Sequence, residues 1–186
     1  MKIQFPNIAI VGTGAMGRGI AQIAAQAGSQ VFLLDANPGA ADAARAALQE
    51  QWNKLVAKGR IEADQATALT ARLHPVTTVA QLAACDLVVE AIVERLDAKQ
   101  ALFVELEEVV RPDAVLATNT SSLSVTAIGA SLQRPERLAG FHFFNPVPLM
   151  KVVEVIAGLK TDPSICTALA AYAKAMGHTP VQAQDT

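Results

Sequence analysis

Residues 8–11 form a short, wholly apolar run that stops at Gly12, the pattern of a central parallel strand buried on both faces. Residues 15–27 follow as a Gly- and Ala-rich stretch with Met16, Ile20, Ile23 and Ala24 at helical spacing, and Gly28 is placed to end a helix. A second apolar run, 31–34, ends at Asp35, after which Asn37-Pro38 offers an N-cap and an N1 proline. The first three elements thus read as a β-α-β unit. The next helical face carries Ala41, Ala44, Leu48, Trp52 and Leu55 and runs to about Gly59, and a short helix is expected from Glu62. Strands are expected at 76–78 and 86–92, separated by a short Ala-Leu segment that starts near Val79. An amphipathic helix over 94–110 sets the Lys99 stem, Leu102, Phe103, Leu106, Val109 and Val110 on one side, until Arg111-Pro112-Asp113 stops it. A strand at 115–118 and a short helix around 125–130 come next. Strands at 138–144 and 152–156 flank Asn145-Pro146-Val147-Pro148, and a helix near 164–176 leads to a strand at 179–182. This alternation predicts an α/β fold, doubly wound, with a mostly parallel sheet and helices on both faces. The chain shows no internal repeat or linker, so 1–186 reads as a single domain.

Composition agrees with that architecture and removes several function classes. Hydrophobic residues make up 52% and aromatics only 4%, so the core must be built from Ala, Val, Leu and Ile, as in a sheet covered on both sides. The net charge of −2 comes from interspersed residues with no basic stripe, which argues against nucleic-acid binding. Cys85 and Cys166 lie far apart without His at metal-ligand spacing; no metal site is expected, and a reducing compartment suits them. No signal-peptide core and no apolar run of about 18 residues is present, so the expected location is cytoplasmic, away from the membrane.

Gly12-Thr13-Gly14-Ala15-Met16-Gly17 is a G-x-G-x-x-G string, weak by itself. Its setting strengthens it: it follows a buried strand, opens a helix, lies within a β-α-β unit, and precedes an acidic residue, Asp35, at the end of the second strand. Together these features predict a Rossmann-like dinucleotide site, with the pyrophosphate at the helix N-terminus. A glycine-rich turn with no ligand is the plainer reading of the string alone. Asp35 would accept the adenosine ribose hydroxyls and repel a 2′-phosphate, and no Arg follows it, so the expected cofactor is NAD rather than NADP.

Three further segments carry a resemblance. Asp86-Leu-Val-Val-Glu-Ala-Ile-Val-Glu94, Asn119-Thr-Ser-Ser-Leu123 and Gly140-Phe-His-Phe-Phe-Asn-Pro-Val-Pro-Leu-Met-Lys-Val-Val-Glu-Val155 resemble, in order and spacing, the NAD-binding domain of the 3-hydroxyacyl-CoA dehydrogenases. The resemblance implies that His142 is the general base or acid at the substrate's 3-hydroxyl, a task that suits imidazole. It implies that Glu154 holds one nitrogen of His142, and that Ser121 contacts the substrate oxygen close to the nicotinamide. Asn119 belongs to the same cofactor-side segment. Asn145 matches a position at the nicotinamide end, Glu90 and Lys99 match positions near the nicotinamide ribose, and Lys58 matches a contact to CoA. Each residue also has a plainer reading: a core histidine for His142, edge-strand or strand-end charges for Glu154 and Glu90, helix capping by Ser122 or Ser124 in the serine segment, and a solvated basic face for Lys54, Lys58 and Arg60.

Segments Lys58-Gly-Arg-Ile and Arg134-Pro-Glu-Arg-Leu resemble the longer bacterial enzymes acting on 3-hydroxybutyryl-CoA or 3-hydroxyadipyl-CoA. Family members continue past the position of Thr186 into a helical domain that covers the acyl-CoA and mediates dimerisation. The expectation is therefore an excised domain that binds NAD but turns over 3-hydroxyacyl-CoA weakly or not at all, from a protein that is a homodimer through that helical domain. Two other readings of the fold stay open: a dehydrogenase of a small free hydroxy acid, and a structural or sensor protein of the kind found among lens crystallins.

Overall fold

The computed structural model describes residues 4–185; the first three residues and the last of the expected domain lie outside the described residues. Eight strands and six helices alternate: β1 Asn7–Val11, α1 Ala15–Gln26, β2 Gln30–Leu34, α2 Ala40–Ala57, α3 Ala63–Ala71, β3 Leu73–Pro75, β4 Leu87–Glu90, α4 Leu96–Val109, β5 Val115–Thr118, α5 Val125–Gly129, β6 Leu138–Phe143, β7 Val152–Ala157, α6 Pro163–Ala175 and β8 Thr179–Gln184. They form one sheet in the order β3-β2-β1-β4-β5-β6-β7-β8. Every adjacent pair is parallel except β6 and β7. Because β1 lies between β2 and β4, connections leave it in opposite directions and open a crevice at the carboxyl ends of these strands.

The unbroken apolar runs follow from burial on two faces. Along β1, Ile8 and Ile10 join the core under α1, α2, α3 and α6, whereas Ala9 and Val11 join the core under α4 and α5. Trp52 of α2 and Tyr172 of α6 are completely buried in the first core, Phe103 and Leu106 of α4 in the second. Burying one such large side chain stabilises the fold by about 1.5–3 kcal/mol. Few aromatics are needed because Ala21, Ala24, Ala25 and Gly17 let α1 lie close against the sheet.

Several boundaries differ from expectation for local reasons. The strand expected at 76–78 lies at Leu73–Pro75, where Leu73 is buried and pairs with β2. Thr77 and Thr78 instead give their backbone N–H groups to the Gln81 side chain, closing a capped 3-10 turn at Val79–Leu82. Helix α2 starts at Ala40 rather than Pro38, because Gly39 takes a left-handed φ of 83° and Asn37 gives its backbone N–H to Asp35. Glu94 and Arg95 precede α4 rather than opening it.

Candidate active site

The glycine turn is shaped by contacts that a side chain would destroy. Gly12 has φ +98°, and a Cβ there would stand 2.5 Å from the Ala91 carbonyl oxygen; a Cβ at Gly17 would stand 1.7 Å from the Gly12 oxygen. At Gly14 neither condition applies: φ is −68° and a Cβ would meet no protein atom within 4 Å. The remaining reason for glycine at Gly14 is close approach by a ligand, which fits a dinucleotide pyrophosphate. The first intrahelical bond runs from Arg18 N to Gly14 O, so the amides of Ala15, Met16 and Gly17 open α1 without intrahelical partners, ready for an anion.

Asp35 stands at the end of β2 beside this turn. Its Oδ2 accepts from the backbone N–H of Thr13 at 2.7 Å and from the Thr13 hydroxyl at 2.8 Å, and its Oδ1 accepts from Asn37 N–H at 2.9 Å. Partial burial works to raise its pKa, but these donors outweigh it and hold the carboxyl below its ordinary value. An ionised, fixed acceptor is what a ribose diol requires.

His142 and Glu154 are directly paired residues of the antiparallel β6–β7 ladder, which puts both side chains on one face. His142 Nδ1 lies 2.8 Å from Glu154 Oε1. A carboxylate at that nitrogen accepts the Nδ1 proton and leaves Nε2 as the basic nitrogen. Among the described residues no hydrogen bond engages Nε2. Asn119, at the carboxyl end of β5, accepts the Phe143 N–H on its Oδ1 at 2.8 Å, tying the serine segment to the end of β6.

Glu90 and Lys99 form a buried pair beside the cleft, whose lining includes Lys99. Glu90 has no exposed surface; its carboxylate accepts from the Thr118 hydroxyl at 2.6 Å, from Ile92 N–H at 2.8 Å and from Lys99 Nζ. Three donors engage this fully buried carboxylate, which ties the carboxyl ends of β4 and β5 together. The cause is register: Glu90 pairs with Thr118 across β4–β5, and Lys99 projects from the apolar face of α4. Lys99 is 2% exposed and also faces Glu94 at 3.4 Å.

Glu94 was not singled out in the sequence. It accepts from the Thr120 hydroxyl at 2.8 Å, from Ser121 N–H at 2.9 Å and from the Ser121 hydroxyl at 3.0 Å. Burial pushes its pKa up, yet the Ser121 and Thr120 bonds and the Lys99 charge prevail and bring it down to about 2. Its only trace in the sequence is the last position of the 86–94 segment, where it resembles an ordinary first-turn helix charge. Ser124 is the residue that caps α5, accepting from Ala127 N–H at 3.1 Å, which leaves Ser121 out of the cap.

Met16, Glu94, Lys99, Asn119, Ser121, His142 and Asn145 line one cleft of about 340 Å³. An adjoining cleft of about 360 Å³ shares Asn145 and brings in Arg18, Gln22 and Gln51, none of which the sequence marked out. Lys58 lies elsewhere: it is exposed at the C-terminal end of α2 and lines neither cleft, while Lys54 pairs with Glu50 at 3.4 Å. Among the described residues no cluster of metal-ligating side chains occurs, and no helix is long and apolar enough to cross a membrane.

The family model for the 3-hydroxyacyl-CoA dehydrogenase NAD-binding domain matches residues 7–186. The 3-hydroxyadipyl-CoA dehydrogenase of Escherichia coli K12 is 44% identical over 186 residues, covering 100% of this chain and 39% of that protein. A probable 3-hydroxybutyryl-CoA dehydrogenase of Deinococcus radiodurans is 40% identical over 176 residues, covering 95% of this chain and 63% of that one. The crystal structure of an Escherichia coli K12 3-hydroxybutyryl-CoA dehydrogenase superposes with a TM-score of 0.94 at 44% identity, covering 100% of this chain and 39% of that one. The chain therefore spans less than two thirds of the length of these relatives.

Proposed function

The chain belongs to the 3-hydroxyacyl-CoA dehydrogenase family as its NAD-binding domain, and from that premise we propose that it carries the cofactor site and the acid–base pair for oxidising a (3S)-3-hydroxyacyl-CoA to the 3-oxoacyl-CoA. The observation that carries the proposal is the His142–Glu154 pair, with His142 lining the same cleft as Met16 of the glycine turn. NAD, when bound, supplies the acceptor for the hydride that leaves C3 of the substrate. His142 Nε2 takes the proton of the 3-hydroxyl while the C–O double bond forms, and Glu154 stabilises the resulting imidazolium. Ser121 gives its one hydroxyl proton to Glu94 at 3.0 Å; with substrate in place that O–H turns to donate to the 3-hydroxyl oxygen, whose own proton faces His142 Nε2, and so helps to orient it. Asn145 and the free amide group of Asn119 bound the nicotinamide end, and the Asp35 carboxylate selects NAD over NADP.

Arg18 in the adjoining cleft supplies positive charge for an anionic CoA, a better-placed candidate than Lys58. We assign dimerisation and acyl-chain coverage to sequence that the longer relatives carry beyond the matched region. A cytoplasmic setting suits two buried free thiols, Cys85 and Cys166.

The experiment is NAD reduction by the complete gene product, with (3S)-3-hydroxybutyryl-CoA and 3-hydroxyadipyl-CoA compared with the corresponding free acids. Turnover of the thioesters and not of the acids supports the proposal. Turnover of the free acids alone would replace it with a hydroxy-acid dehydrogenase, and NADH binding without any turnover would favour a structural or sensor role.

A further inference from the structure

The serine segment is held at both ends by carboxylates. At its start Glu94 takes Thr120 and Ser121. At its other end Asp185, the residue after β8, accepts from the Ser124 hydroxyl at 2.7 Å, from Thr126 N–H at 2.8 Å and from Val125 N–H at 3.1 Å. Asp185 is itself fixed, because its backbone N–H donates to the Ala157 oxygen of β7 at 2.9 Å. Ser124 receives Ala127 N–H while giving its own proton to Asp185, so cap and carboxylate form one network. Partial burial opposes ionisation of Asp185, but the bonds from Ser124, Thr126 and Val125 prevail and lower its pKa.

We propose that Asp185 is a positioning residue for Ser121: by fixing residues 124–126 it sets where the serine segment enters the cleft, and it couples that segment to the point at which the chain leaves the sheet. The inference rests on the dehydrogenase reading for its kinetic consequence, but not for its mechanical one. Residues 120–126 are only a turn and the start of a five-residue helix, too short to be stable by themselves. Their geometry depends on what grips their ends. Glu94 and Asp185 make six side-chain-mediated contacts to this stretch, three each.

Two measurements separate the possibilities. In the 186-residue chain, Asp185→Asn is compared with wild type by amide hydrogen exchange. The expected result is exchange at residues 121–127 faster by about tenfold, the equivalent of one lost charge-assisted bond, with β1 and α1 unchanged. Unchanged exchange at 121–127, or a uniform rise across the whole sheet, would overturn the proposal whatever reaction the protein catalyses. In the complete gene product, the same variant should lower kcat for 3-hydroxybutyryl-CoA oxidation about tenfold while KM for NAD stays within about twofold, and Asp185→Glu should recover part of the loss. A fully active Asp185→Asn enzyme would contradict the coupling to Ser121. A wild-type protein without turnover would instead count against the dehydrogenase reading, and the exchange result would still decide the role of Asp185.

Discussion

The two sides of the cleft are built on different principles. On one side, Gly12, Gly14, Gly17 and Asp35 come from a single β-α-β unit of parallel strands and are joined mainly by contacts within it, the approach of Gly12 to the Ala91 carbonyl apart. On the other side, His142 and Glu154 meet only because β6 and β7 run antiparallel in one particular register. A slip of one residue would turn the two side chains to opposite faces. The cofactor side is therefore specified by local backbone chemistry and the catalytic side by strand pairing. Between them, the buried Glu90–Lys99 pair fixes the carboxyl ends of β4 and β5: Glu90 holds Thr118 and Ile92, and the intervening Ala91 stands against Gly12.

That shared support is where the largest effect is expected. Glu90→Ala leaves Lys99 buried and facing only the partly exposed Glu94, and should cost about 3–5 kcal/mol in denaturant unfolding. A loss below about 1 kcal/mol would mean that Lys99 swings to solvent and that the two sides are independent. Glu154→Gln should touch the catalytic side alone, lowering kcat about a hundredfold with NADH affinity unchanged in a fluorescence titration. Asp35→Ala should touch the cofactor side alone: NADH binding weakens about tenfold or more, and the preference over NADPH largely disappears. If either variant altered both readouts equally, the division between the sides would fail.

The smallest effect concerns Glu94, which spans the gap. Its pKa in the folded chain, about 2, lies below the ordinary 4.5, so its stabilising contribution is present above about pH 4.5 and is lost as pH falls toward 2. Roughly a third of the side chain is exposed, so solvent reduces the effect. Thermal melts between pH 5 and 2 should show a shallower acid decline in Glu94→Gln than in wild type.

The same division explains what could be read from sequence. Strand β5 occupies Val115–Thr118 as the apolar run predicts, and the glycine string with Asp35 marks its own turn, because these signals are local. The pairing of His142 with Glu154 is implied by the family resemblance and not by the residues alone, because the register that completes it is a long-range property. Glu90 illustrates the limit most directly. The sequence reading sets Glu90 either near the nicotinamide ribose or as a strand-end charge and puts only the Lys99 stem on an apolar face; nothing in sequence joins the two or adds the Thr118 hydroxyl. Glu94 and Asp185 lie 27 and 61 positions from the serines they hold, and each looks like an ordinary surface carboxylate until the fold closes. The displaced third strand had a local cause: the Gln81 side chain captures Thr77 and Thr78 in a cap, a competition that β-propensity does not register.

The most direct test of the central claim is transfer of deuterium from C3-labelled (3S)-3-hydroxybutyryl-CoA to NAD in a single turnover of the complete gene product, wild type against His142→Ala. The account predicts labelled NADH from wild type and a rate lower by about a thousandfold in the variant, with NADH affinity retained. Undiminished transfer in the variant, or no transfer by a wild-type protein that binds NADH, would contradict it.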